Sequence, residues 1–131
     1  MERRTAIGSR GRGFTLIELL VVMSIIAVLL LIAVPRYFHS LDRSKEAVLR
    51  QDLAVMRDAI DKYYADLAHY PEALTDLVEH HYLRSIPLDP ETKSSETWTA
   101  VLSEDTEVPG VRDVHSGSPA VASDGTAFAN W

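Results

Sequence analysis

The segment GFTLIELLVV, Gly13–Val22, opens the stretch of sequence that decides the fold. The apolar run continues to residue 34, and Glu18 is the only charged side chain between Phe14 and Val34. As a helix, this run would extend about 31 Å, close to the hydrocarbon thickness of a bilayer. A helix of a soluble domain is seldom apolar on all sides over such a length. The run therefore predicts a membrane-spanning helix.

Charge is distributed unevenly on the two sides of this run. Residues 1–13 carry four arginines and one glutamate, whereas the whole chain has a net charge of −6, so the acidic excess follows Gly13. Because the body of the chain has no basic patch, we expect no binding to nucleic acid. There is no cysteine, hence no disulfide framework and no thiolate metal site. No P-loop, GxSxG or GxGxxG motif is present, so the sequence predicts no enzyme.

Three interpretations of the apolar run compete. A secretory signal would have a shorter apolar core and a small-x-small cleavage site, whereas this run is long and ends in Val34-Pro35-Arg36. A plain N-terminal anchor is compatible with the run, and the arginines before it favour a cytoplasmic N-terminus. The third interpretation rests on the local order: a basic leader, then Gly13, Phe14 and Glu18, then the rest of the apolar run.

That order has a chemical rationale. A protease can approach the backbone closely at Gly13, which has no side chain. Cleavage after Gly13 would create a new α-amine on Phe14, and Glu18 lies one helical turn further on. A carboxylate at the centre of a membrane helix costs about 2.5–3.5 kcal/mol and is expected to be paired. The sequence therefore predicts that Glu18 pairs with the ammonium of Phe14, within one chain or between neighbours.

Residues 11–35, which include RGFTLIELLVVMSIIAVLLLIAVP, closely resemble the cleavage and methylation segment of type IV pilins and type II secretion pseudopilins. The resemblance implies cleavage between Gly13 and Phe14 by a membrane-embedded aspartic prepilin peptidase, followed by N-methylation of Phe14. It also implies that Glu18 pairs with the amine of an adjacent subunit during filament assembly. Pro35 matches the proline that the family has near the end of the membrane half of its helix.

The sequence divides into a basic leader at 1–13, a membrane and filament-core helix at 14–35 and an extracytoplasmic domain at 36–131. The helical pattern resumes after Pro35 and predicts one long helix over 15–67, bent at Pro35 because proline removes a hydrogen bond. The predicted packing face contains Tyr37, Leu41, Val48, Leu49, Met56, Ile60, Tyr63, Tyr64 and Leu67. The predicted polar face contains Asp42, Arg43, Glu46, Arg50, Asp58 and Lys62, with Glu46–Arg50 and Asp58–Lys62 as i,i+4 pairs.

The remaining sequence predicts short elements. Pro71 ends the long helix, and residues 72–80 are expected to form a second helix. Strands are predicted over 98–102, with Trp98, Ala100 and Leu102 on one face, over 111–115 and over 126–131. A long helix followed by short strands indicates an α+β fold. Trp98 and Trp131 are interpreted as core residues of a small sheet.

Tyr70-Pro71, HYLRSIPLDP at 81–90 and DGTAFANW at 124–131 resemble the major pseudopilin of type II secretion. This resemblance implies a pilin-like fold: a long N-terminal helix, apolar and then amphipathic, packed on a small antiparallel sheet with a short second helix. It also implies a C-terminal calcium loop, for which Asp113 and Asp124 are the candidate carboxylates. The serine oxygens nearby belong to Ser116, Ser118 and Ser123.

Two carboxylates are few for calcium, which takes six to eight oxygen ligands. Asp124-Gly125 is equally a signal for a type I′ turn, so a plain structured turn is the alternative. The five histidines lack the spacing of a zinc site, and we interpret them as structural. They are His39, His69, His80, His81 and His115.

Together the resemblances imply a structural subunit of a type II secretion pseudopilus. It would be a single-pass protein of the inner membrane, with its N-terminus in the cytoplasm and its domain in the periplasm. The implied partners are further copies of the chain in a filament, the prepilin peptidase, an assembly ATPase, a membrane platform protein and minor pseudopilins. The lack of cysteine favours a pseudopilin over a type IV pilin, because pilins often close the C-terminal loop with a disulfide. A type IV pilin and a non-polymerising, membrane-anchored binding module stay open as alternatives.

Overall fold

The computed structural model describes residue 8 and residues 11–131, so most of the predicted leader lies outside the described residues. The chain separates into two compact units, Met1–Phe38 and His39–Trp131. The elements are α1 (Leu16–Leu67), α2 (Leu74–Glu79), β1 (Thr99–Leu102), β2 (Val111–His115) and a 3₁₀ turn at Phe128–Asn130. This confirms the predicted α+β, pilin-like fold.

Helix α1 begins after a threonine cap. The hydroxyl of Thr15 accepts a hydrogen bond from the backbone N–H of Glu18 at 3.2 Å, which satisfies one of the free donors of the first turn. The side chains from Leu16 to Val34 are apolar apart from Glu18 and Ser24, and they are exposed in the isolated chain. Pro35 lies inside the helix, and the bend expected there stays a prediction.

The second half of α1 forms one wall of the domain core. Its buried side chains are Glu46, Leu49, Leu53, Met56, Ala59, Ile60 and Tyr63, spaced three and four residues apart. The predicted packing face was correct for Leu49, Met56, Ile60 and Tyr63, but it missed Leu53. It was wrong for Tyr37, Leu41, Val48, Tyr64 and Leu67, which are exposed. Of these, Tyr64 still stacks on Tyr70, with ring centroids 4.6 Å apart.

Helix α2 is shorter than the predicted segment at 72–80, and its Leu77 is fully buried. The chain leaves α1 through Ala68, which has a left-handed φ of 58°. The carboxylate of Asp76 then accepts hydrogen bonds from the backbone N–H groups of Glu72 and Ala73, at 2.8 and 3.2 Å. These bonds satisfy backbone donors at the start of α2 and so cap the N-terminal end of this six-residue helix.

The sheet is an antiparallel pair, β1 with β2, interrupted by an irregularity between Val101 and Leu102. Strand β2 has the predicted bounds and buries Val111 and Val114. The face predicted for β1 was wrong, because Ala100 and Leu102 are exposed. A strand paired on one side alone leaves much of its surface uncovered. Trp98 precedes β1, is buried, and donates its indole N–H to the carbonyl of Pro87 at 2.8 Å.

The predicted third strand at 126–131 was wrong. Within the described residues it is reduced to one bridge between Val121 and Ala127, followed by the 3₁₀ turn. The N–H of Gly125 bonds to the carbonyl of Ala122, and the N–H of Ala122 bonds to the carbonyl of Thr126. Only Gly125 has a positive φ here, at 87°, so the turn is not type I′, which needs two such residues. This tight reversal leaves no partner strand for the last residues.

Close packing requires glycine at position 117. A Cβ on Gly117 would lie 1.8 Å from the carbonyl oxygen of Thr97, far inside van der Waals contact. The backbone after β2 therefore passes directly against the segment that leads into β1. This contact positions the following loop, residues 116–131, beside the rest of the domain.

Candidate functional sites

The predicted processing site lies at the start of α1. Phe14 is 84% exposed, and a Cβ on Gly13 would meet no atom within 4 Å. Neither packing nor a positive φ requires glycine at position 13. Cleavage between Gly13 and Phe14 and methylation of Phe14 stay predictions.

Glu18 belongs to the first turn of α1 and is exposed in the isolated chain. Within the described part of the chain its carboxylate has no ion-pair partner. Sequence reasoning missed one local role for this residue. Thr15 and Glu18 have the spacing of a capping box, and the structure contains half of it, the bond from the N–H of Glu18 to Thr15. A negative charge also suits the positive end of the helix dipole.

The apolar run supplies the second feature of this region. Among the described residues, one helix, α1, is long and apolar enough to cross a membrane, and its most apolar part is not buried within the chain. The exposed large side chains include Leu19, Leu20, Val21 and Val22, which follow one another around the helix at steps of about 100° and so lie on all its sides. A helix apolar on all sides needs lipid or other helices around it.

The candidate calcium residues are engaged by other groups. The Nε of Arg57 donates to Asp113 Oδ1 at 2.7 Å, and the N–H of Val114 reaches the same oxygen at 2.7 Å. Asp124 Oδ1 accepts from the N–H and the hydroxyl of Thr126 at 2.9 and 2.6 Å. These bonds from Thr126, with a smaller contribution from Arg50, lower the pKa of Asp124 from its ordinary 3.8. The residues do not fit the calcium site that the resemblance implies.

The serines considered with them also have protein partners. Ser116 donates its hydroxyl to Asp89 and accepts the N–H of Ser118 at 3.2 Å. The hydroxyl of Ser118 in turn accepts the N–H of Ala120 at 3.2 Å. Ser123 binds Glu46 through both its N–H, at 2.6 Å, and its hydroxyl, at 2.8 Å. These oxygens organise the loop itself.

Sequence reasoning missed two buried carboxylates. Glu46 was assigned to the polar face, paired with Arg50, but it is 6% exposed and bound to Ser123. Its spacing from Leu49 and Leu53 was the available signal. Asp89 is fully buried and accepts the N–H groups of the turn that follows it, at 2.8 Å for Glu91. Burial of both groups is tolerated because each is hydrogen-bonded.

The histidines are spread over the domain. The rings of His69 and His80 both pack edge-on against Tyr63, with centroids 5.5 Å away. His115 contacts the backbone oxygen of Trp131, whereas His39 and His81 are exposed. Across residue 8 and residues 11–131, no three histidine or acidic side chains come together as a metal-binding group.

Comparison with known proteins identifies relatives of this chain. Residues 8–34 match the family model of the prokaryotic N-terminal methylation motif. The motif and the helix-and-hairpin domain together define a prepilin-like protein. The chain is 32% identical over 97 residues to type II secretion system core protein G of Escherichia coli (strain K12), covering 62% of this chain and 67% of that protein. It is also 32% identical to core protein G of Klebsiella pneumoniae, covering 69% of that protein.

The chain belongs to the family of type II secretion system core protein G, the major pseudopilins. Type IV pilins are related as well: the type IV major pilin protein PilA of Myxococcus xanthus (strain DK1622) is 32% identical over 68 residues, or 52% of this chain and 31% of that protein. No solved structure matches the chain.

Proposed function

We propose that this chain is a structural, non-catalytic subunit of a type II secretion pseudopilus. The observation that carries the proposal is the methylation motif over residues 8–34, placed at the start of a helix that is exposed and apolar on all sides. The assignment to a type II secretion system rests on the membership of the core protein G family. The subunit would be stored in the inner membrane, cut between Gly13 and Phe14, methylated on Phe14, and polymerised through the first half of α1.

The pairing of Glu18 supplies the specificity of assembly in this proposal. Moving an apolar helix from lipid into a bundle of similar helices replaces one apolar contact with another, so packing alone discriminates little between the two states. A carboxylate surrounded by apolar side chains is costly unless it is paired. The ammonium of Phe14 on an adjacent subunit would pair with it at one axial register only, and so fix the stagger between neighbours.

The finer arrangement follows from the same resemblance. The N-terminus would face the cytoplasm, where the prepilin peptidase removes the leader, and residues 36–131 would lie in the periplasm. A platform protein and an assembly ATPase would extract subunits from the membrane, and minor pseudopilins would begin the filament.

Substitution of Glu18 tests the assembly step. The variants Glu18→Leu and Glu18→Gln remove the charge, and Glu79→Gln is the matched control, since Glu79 is exposed at the end of α2. Expressed in cells with the secretion system, both Glu18 variants should still be cleaved but should yield no filaments in the sheared fraction. The control should assemble like the parent. Normal filaments from both Glu18 variants would contradict the proposed role.

A type IV pilin is the second candidate, favoured by the similarity to the Myxococcus xanthus pilin over 68 residues. Deletion of the gene separates the two functions. A pseudopilin deletion should leave exported proteins trapped in the periplasm and surface pili unchanged. A pilin deletion should remove surface pili and leave secretion intact. A membrane-anchored module that never polymerises should change neither.

A further inference from the structure

Three charged side chains of α1 contact the loop at 116–131. They are Glu46, Arg50 and Arg57, and their spacing of four and seven residues places them on one side of the helix. Glu46 binds both the backbone N–H and the hydroxyl of Ser123. This contact is largely withdrawn from solvent, so the carboxylate and its donors depend on each other.

Arg57 joins three parts of the chain. Its Nε donates to the carboxylate of Asp113 at 2.7 Å, and its Nη2 donates to the backbone oxygens of Val114 and Trp131 at 2.9 and 2.6 Å. One planar guanidinium thus bridges β2 and the end of the loop, a geometry that lysine does not reproduce. The guanidinium is partly exposed, so its value lies in the three bonds more than in the ion pair.

Arg50 covers the last aromatic residue. Its guanidinium carbon lies 4.1 Å from the centroid of the Trp131 ring, within the range of a cation–π contact. Its Nη2 is 3.8 Å from Asp124 Oδ2. The Trp131 ring also packs edge-on against Phe128, with centroids 4.9 Å apart, and donates its N–H to Thr126 at 2.7 Å. The loop is therefore held from the side of α1.

These contacts conflict with a divalent cation at the two candidate carboxylates. Calcium needs several oxygen ligands, and here each carboxylate has a guanidinium beside it: Arg57 at Asp113 and Arg50 at Asp124. A cation placed at either carboxylate would be repelled by that positive charge. It would also compete with the hydrogen bonds that the Oδ1 atoms of the same carboxylates already accept.

We infer that Glu46, Arg50 and Arg57 hold the loop at 116–131 in place of a bound metal ion, so that the fold of this chain does not depend on calcium. The loop gains a second attachment from the buried Asp89, which binds Ser116 at its start. This inference does not rest on the proposed function, because it concerns the stability of the domain alone.

Thermal unfolding of the full chain in detergent micelles tests it, followed by the fluorescence of Trp98 and Trp131. The parent should melt at the same temperature in millimolar CaCl₂ and in EDTA. Arg57→Ala should melt lower by about 5 °C or more, equally with and without calcium, because three acceptors lose their donor. Arg57→Lys should retain the charge but recover only part of the loss.

Arg112→Ala is the matched control. Arg112 lies on β2 and faces the exposed Glu104 at 3.9 Å, so its removal should leave the melting temperature almost unchanged. A clear rise in the melting temperature of the parent with calcium, or heat on titration with CaCl₂, would overturn the inference. Melting of Arg57→Ala like the parent would overturn it as well. If Arg57→Ala does not fold, the calcium comparison on the parent and the partial loss in Arg57→Lys still decide.

Discussion

Glu18 has a local role in the isolated chain, and we propose a second role for it in the filament. In the isolated chain its backbone N–H bonds to the Thr15 hydroxyl and its charge lies at the positive end of α1. In the proposed filament the same carboxylate would meet an ammonium that does not exist until the chain is cut at Phe14. The first role is local helix chemistry, whereas the second requires proteolysis and a neighbour.

The raised pKa of Asp52 can be tested by substituting this single residue. Burial raises the pKa of this carboxyl from its ordinary 3.8, and the charge of Asp89 raises it further. Because the pKa of Asp52 is raised in the folded state, protonation of Asp52 favours folding. This contribution to the free energy of unfolding is fully present below pH 3.8. It is lost as the pH rises through the folded-state pKa.

Asp52→Asn should therefore stabilise the domain at neutral pH, by about 0.5 kcal/mol or less for a partly exposed group. The gain should vanish near pH 3. The control Asp58→Asn removes the 2.7 Å ion pair with Lys62 and should be neutral or slightly destabilising at pH 7. Urea unfolding at the two pH values measures both. A gain for Asp52→Asn that is larger at pH 3 than at pH 7 would contradict this account.

Helix α1 changes its environment along its length. Up to Val34 its side chains are exposed and, apart from Glu18 and Ser24, apolar, whereas from Glu46 to Tyr63 one stripe is buried in the domain. The amphipathic pattern was visible in the sequence, but the predicted packing face was only partly correct. The exposed residues Val48 and Val55 are as apolar as the buried ones, so hydrophobicity alone could not separate the two sides.

Truncation on the two sides of α1 tests that phase. Leu53→Ala removes a side chain that is 2% exposed and should destabilise the domain by about 2–5 kcal/mol, through lost burial and a cavity. Val55→Ala is the control: this side chain is 41% exposed, and its truncation should cost about 0.5 kcal/mol or less in the unassembled chain. Equal losses in urea unfolding of the full chain in micelles would show that the buried stripe is wrongly assigned.

At the scale of the whole molecule, the sequence predicted the elements better than their contacts. The α1 bounds followed from continuous helical periodicity, and β2 followed from a compact alternating segment between turn residues. The strand expected at 126–131 failed because the turn at Ala122–Gly125 and the contacts of Trp131 are tertiary features. The contacts of Arg57 with Asp113 and of Arg50 with Asp124 were likewise not predictable, because the partners lie far apart in sequence.

The membrane half and the domain also differ in what their sequences specify. Residues 8–34 match the model of the prokaryotic N-terminal methylation motif. The proposed function gives three of its residues a chemical role: access to the backbone at Gly13, a new amine on Phe14 and its partner at Glu18. The domain at 39–131 is defined instead by a core that many sequences could build. Assembly into a filament is therefore tested most directly at the junction that processing creates.

Intact-mass and peptide mass spectrometry of the mature protein, purified from cells with a functional prepilin peptidase, makes that test. The account predicts a chain that begins at Phe14 and carries one methyl group on its α-amine. A peptidase-deficient strain should retain the leader, residues 1–13. A mature chain that still begins at Met1, or one cut at another position and unmethylated, would contradict the central claim.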